Sequence, residues 1–188
     1  MVDEKLGSEP PARAAFLALW QSRYPETLPI GWHFKHNYLD RWERIHSLPE
    51  SKRRADTPEE WECLLFRQNT VIDSLVEQGT AIRIVFNSIP KKSGLFRDYH
   101  LQSLGIIQED EDETAYESFL LETTWKSHSL DPFLESCANW EILAFIIAPD
   151  CLIYPYEGGM DIILKDKWSC EAFAVVYDRW LAPENKAT

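Results

Sequence analysis

Apolar positions along the chain fall into blocks of helical and extended spacing, separated by proline and glycine. Phe16, Leu17, Trp20 and Tyr24 recur at the interval of one helix face, with Ser8 and Pro10-Pro11 as a start and Pro25 as a stop. Leu28 to Tyr38, with Pro29, Gly31 and two histidines among aromatics, reads as a loop entering a short extended piece. Arg41 to Leu48 alternates as a strand, with Trp42, Arg44, His46 and Leu48 on one face, and Pro49 ends it because proline cannot donate to a ladder. Thr57-Pro58-Glu59-Glu60 is a helix start: threonine caps, proline fits the first turn, and the glutamate three residues after the cap can bond back to it. The apolar series Trp61, Leu64, Leu65, Ile72, Leu75 and Val76 carries that helix toward Gly79, a left-handed terminator.

The second half is richer in strands. Thr80 to Asn87 is short and β-rich, and Pro90 to Gly94 closes it as a loop. Residues 95–114 give no periodic signal, and the run Glu109 to Glu113 reads as a solvated acidic loop. Tyr116 to Trp125 reads as a strand, and Asp131-Pro132 opens a short helix through Phe133, Leu134 and Cys137. Glu141 to Ala148, Cys151 to Tyr156 and Met160 to Leu164 read as successive strands, the last two joined at Glu157-Gly158-Gly159, where glycine supplies the positive φ of a tight hairpin. Asp166 caps a last helix with the apolar stripe Trp168, Ala172, Phe173, Val176 and Trp180.

This order predicts an α+β fold: one domain over residues 10–182, mainly an antiparallel meander with helices packed on one face, between a lead-in at 1–9 and a tail at 183–188. Composition agrees, since 188 residues with 45% hydrophobic content and eight tryptophans suffice for one core. Charge narrows the partners. Thirty-one acids against 19 bases give −12, which disfavours nucleic acid and anionic membrane and suits a basic protein partner. The longest apolar stretch, Ile142 to Pro149, is too short to span a bilayer, and the opening residues lack the apolar run of an export signal. Cys63, Cys137, Cys151 and Cys170 share no C-x-x-C spacing, so they read as reduced thiols in a cytoplasmic protein.

Candidate chemistry gathers around one stretch, Arg41 to Arg54, where guanidinium, imidazole and hydroxyl groups crowd together. Arg44 and His46 share a strand face, Ser47 points opposite, and Lys52 and Arg53 follow as a cationic island that can hold a phosphate or carboxylate. Local pairing with Glu50, Asp56 and Glu59 is the competing reading. Arg67 and Asn69 lie on the capped helix, away from its apolar face, and either meet solvent or lean toward the basic loop. Asp161, a lone acid in an apolar strand, faces water or pairs with an arginine. His46 is the one candidate for acid–base work, but no catalytic order is recoverable, so no catalytic residue is assigned. His33 and His36 lack the setting for a metal site, and the chain has no phosphate loop or dinucleotide fingerprint, so no cofactor is expected.

Two stretches resemble a family of bacterial proteins of unknown function. One is Trp42-Glu-Arg-Ile-His-Ser-Leu-Pro-Glu-Ser-Lys-Arg53 with Glu60-Trp61 and Arg67-Gln68-Asn69; the other is Tyr154-Pro-Tyr-Glu-Gly-Gly-Met-Asp161. The chain departs from that pattern at Trp61 and Arg54, where tyrosine is usual, and at Glu157, where aspartate is. The resemblance implies a bacterial cytosolic domain and carries no activity. Two functions compete: a small acidic interaction module, immunity-like in neutralising a basic partner, and an enzyme or receptor for a small anionic ligand at the Arg44-His46-Lys52-Arg53 region. Both place the cationic turn after Leu48 beside the glycine hairpin.

Overall fold

The computed structural model describes residues 11–88, 100–108 and 115–182. Its strands are β1 (Trp42–His46), β2 (Ala81–Ser88), β3 (Gln102–Gln108), β4 (Ala115–Thr124), β5 (Leu143–Ile147), β6 (Cys151–Tyr156) and β7 (Gly159–Leu164). They form one antiparallel sheet in the order β1-β7-β6-β5-β2-β4-β3. The helices are α1 (Pro11–Arg23), α2 (Phe34–Asn37), α3 (Pro58–Leu75), α4 (Asp131–Ala138) and α5 (Lys167–Val176). The class is α+β, as the pattern predicts, and β5-β6-β7 is the expected meander.

The helices cover both faces of the sheet, not one. Val71 and Ile72 of α3, Phe133 and Leu134 of α4, and Phe173 of α5 pack on Ile84, Phe86, Ile146, Ile153 and Ile162. The alternate positions Val85, Phe145, Ile147, Leu152 and Ile163 meet Phe16 and Trp20 of α1 and Phe34 of α2 on the other side. β6 and β7 are buried at nearly every position, and such strands require cover above and below.

Several local expectations change. Leu28 to Tyr38 is not extended; it folds into a 3-10 turn at Gly31–His33 and the single turn of α2, because Phe34 must point into the core. Thr57 caps α3 by accepting from the Glu60 amide at 3.3 Å, but the Glu60 carboxylate accepts from the Asp56 amide at 2.7 Å, one residue before the cap. α3 ends at Leu75, and Gly79, at φ +83°, turns the chain into β2 while its amide donates to the Trp125 carbonyl. On α5 and the residue that caps it the buried stripe is Cys170, Phe173 and Tyr177, whereas Trp168 is 75% and Val176 72% exposed. Two apolar stripes run along this helix, and sheet contact selects the first. Part of the unplaced stretch 95–114 forms β3; the loop at Pro90 to Gly94, the acidic run Glu109 to Glu113, the lead-in and the tail lie outside the described residues.

Both sheet margins are covered at named positions. The outer edge of β1 pairs with the segment after α5: His46 donates to the Trp180 carbonyl at 2.7 Å and Ala182 to the Arg44 carbonyl at 2.9 Å. At β3 the Arg13 guanidinium of α1 donates to the Leu104 and Ile106 carbonyls.

Candidate functional site

Antiparallel register sets three side chains in one row: Arg44 on β1 lies opposite Asp161 on β7, which lies opposite Tyr154 on β6. Asp161 is buried, and Arg44 meets it with two parallel bonds, Nε–Oδ1 at 2.6 Å and Nη2–Oδ2 at 2.9 Å. Paired, forked geometry is the strongest form of this interaction. The Tyr156 hydroxyl donates to Asp161 Oδ1 at 3.2 Å, and the Arg44 guanidinium lies 5.1 Å from the Trp42 ring and 5.4 Å from the Tyr156 ring. A fixed ion pair between aromatic plates is the result.

This row floors a pocket of about 200 Å³, walled by Trp32, Trp140, Tyr154 and Tyr156, with Lys35 and Arg53 at the rim. Lys35, half-buried on α2, has no acid partner among the described residues.

The hairpin tip carries the second part of the site. Tyr156 faces Gly159 across the two-residue turn Glu157-Gly158, and the Gly158 carbonyl accepts from the Ser47 amide at 3.0 Å. Gly158 sits at φ +87°, and a Cβ there would stand 3.2 Å from Arg53 Cα, so glycine answers both the turn and the approach. Glu157 binds Arg53 at 2.9 Å and Arg54 at 2.6 Å. The cationic turn and the glycine hairpin are thus neighbours.

The hydrogen bond from the Trp140 indole, helped by the Arg53 and Arg54 charges and opposed by burial, holds the Glu157 carboxyl below its ordinary value. A depressed carboxyl pKa contributes stability at pH above its unfolded value, and that contribution is lost as pH falls through the folded value. Acid unfolding followed by tryptophan fluorescence should therefore show a loss below the normal glutamate range that Glu157→Gln flattens; an unchanged profile in the variant would contradict this role.

The sequence candidates separate. Arg44, Arg53 and Asp161 line the aromatic pocket. His46 and Arg67 line a different cavity, beside Pro49, Glu50, Ser51 and Arg179. Lys52 is spent on Asp56 at 2.9 Å and Glu60 at 2.6 Å, stitching the basic loop to the first turn of α3. Ser47 is buried and accepts from Gln68 Nε2 at 2.9 Å. Asn69 is buried, not solvent-facing; it donates to Asp131 Oδ1 at 2.8 Å and accepts from the His128 amide at 2.9 Å, fastening α3 to the start of α4. Arg67 turns to the end of β1, donating to the His46 carbonyl at 3.1 Å.

Trp32, Lys35, Trp140, Tyr154 and Tyr156 were not among the candidates. The two tyrosines had a signal: alternation around a two-residue turn puts them on the Asp161 face. Trp32, Lys35 and Trp140 arrive through tertiary packing.

None of the four cysteines lines this pocket. None is in a disulfide, and burial pushes the Cys137 thiol well up and the Cys151 thiol to about 12. No helix among the described residues is long and apolar enough to cross a membrane.

Fold and site together define a single α+β domain with a small aromatic, cation-rimmed pocket on one sheet face. The chain belongs to the family described as a domain of unknown function, DUF3885, whose model matches residues 30–185. That span holds both sequence motifs and the pocket, while α1 precedes it. No curated protein and no solved structure matches the chain.

Proposed function

We propose that this chain is a receptor for a small anionic molecule bearing a flat, unsaturated ring. The observation that supports it is Lys35, a cation without an acid partner among the described residues, at the mouth of a pocket walled by four aromatic side chains. The ring packs between Trp32, Trp140 and Tyr154, and the anionic group meets Lys35, with Arg53 free to turn from Glu157 toward it. The Arg44–Asp161 pair shapes the floor and is already neutral, so it orients the ligand and adds little net charge. No proton transfer is assigned, and the reading is of binding, not catalysis. It fits a bacterial cytoplasmic protein whose thiols stay reduced.

The test is a thermal-shift screen of aromatic carboxylates and nucleoside monophosphates. A ligand present at 100 times its dissociation constant adds about 2.7 kcal/mol of stability. Lys35→Ala should weaken binding about tenfold, the worth of one charge-assisted bond. A panel in which nothing shifts the melting point, or a Lys35→Ala protein that binds as well as the parent, would refute the proposal.

Net charge supports a second reading, an acidic module that captures and neutralises a basic protein, as an immunity partner would. Salt-sensitive recovery of a basic protein from native lysate, unaffected by Lys35→Ala, would favour it over the receptor.

A further inference from the structure

We infer that the chain holds a second site, a phosphate-binding cavity, on the opposite margin of β1 from the aromatic pocket. The cavity measures about 350 Å³ and is lined by His46, Arg67, Arg179 and the turn Pro49–Ser51. Arg67 and Arg179 have no ion-pair partner among the described residues, in a chain whose acids outnumber its bases 31 to 19. Two such guanidinium groups facing one cavity repel each other until an anion comes between them.

Arg67 is set in advance. Its Nη1 donates to the His46 carbonyl at 3.1 Å and its guanidinium lies 5.1 Å from the Trp180 ring, leaving further donors unspent. Nε2 of His46 is buried and has no hydrogen-bond partner among the described residues. An orphaned polar atom of this kind costs roughly 1–3 kcal/mol, and a turn of the ring toward the cavity would let a ligand oxygen relieve it. The cavity wall is itself strained: Glu50 and Ser51 stand at φ +56° and +58°, consecutive left-handed positions for residues with a Cβ. Such positions cost about 1–2 kcal/mol each and persist where surrounding structure imposes them, often at ligand clamps. Glu50 also lines the rim, exposed, where solvent and salt screen its charge.

Donor geometry selects the ligand class. A carboxylate presents two oxygens in a plane and is saturated by one arginine fork. Two guanidinium groups and an imidazole offer donors from three side chains, which suits the several acceptor oxygens of a phosphate group.

Calorimetric titration of the full chain with inorganic phosphate and, separately, with acetate tests this. Saturable phosphate binding is expected, at least about tenfold weaker in Arg179→Gln and in Arg67→Lys. Arg179 is exposed, so its variant should keep the parental urea midpoint, and any loss of binding is then local. Inorganic phosphate lacks the ring that the aromatic pocket holds, so Lys35→Ala should leave phosphate binding unchanged, which separates this site from the receptor proposal. Absence of saturable phosphate binding, equal binding by Arg179→Gln, or acetate binding as tightly as phosphate would overturn the assignment.

Discussion

Replacing Asp161 with alanine should destabilise the protein by about 3 kcal/mol, read as a fall in the urea midpoint at constant slope. The side chains of Arg44 and Asp161 are 19% and 5% exposed, so removing the acid takes the forked carboxylate from a guanidinium that water reaches only in part. The expected loss sits at the lower end of the range for broken buried pairs because Arg44 keeps contact with Trp42, Tyr156 and some solvent. The double variant Arg44→Met/Asp161→Leu should recover most of the loss, since apolar groups then replace both charges. A single variant within about 0.5 kcal/mol of the parent would show that the pair adds nothing to the fold.

Gly159→Ala should be nearly as damaging, about 3 kcal/mol, for a steric reason. A Cβ at this position would stand 2.4 Å from the Ile45 carbonyl oxygen on β1 and 3.3 Å from the Tyr156 hydroxyl. The first contact is with backbone and cannot be rotated away, so β1 must separate from β7 or the hairpin must tilt. Either motion moves Arg44 relative to Asp161. The variant should therefore lose ligand-induced stabilisation as well as midpoint, measured in the same melts. Full retention of both would mean that the hairpin is not the scaffold of the site.

Much of the sheet was readable because its signals are local. Cys151 to Tyr156 and the strand after Glu157-Gly158 are apolar runs bounded by a turn that only glycine accommodates well, and the Asp166 and Thr57 caps announce α5 and α3. Helix burial was harder. Trp168 and Val176 are as apolar as Phe173, and periodicity alone does not say which stripe meets the sheet. Asn69 misled in the opposite sense: an amide on a polar helix face looks solvated, yet here it is buried because Asp131 and the His128 amide complete its bonds. The same limit applies to the site. Arg44 and Asp161 were both candidates, and the hairpin register joins them. His46 and Lys52 are close in sequence to Arg44, yet strand edge and loop direction send them to other surfaces. Nothing near Lys35 in the chain announces that α2 lies beside the hairpin.

The guanidinium of Arg13 bears on how copies of this protein meet. It occupies two main-chain acceptors on β3 that would otherwise be open to the amides of an approaching strand, while the opposite border of the sheet is stitched to the chain's own Trp180–Ala182 segment. Strand-by-strand growth from one molecule into the next is thereby hindered at either end, and loss of Arg13 would make the β3 border the first place for such adhesion to begin.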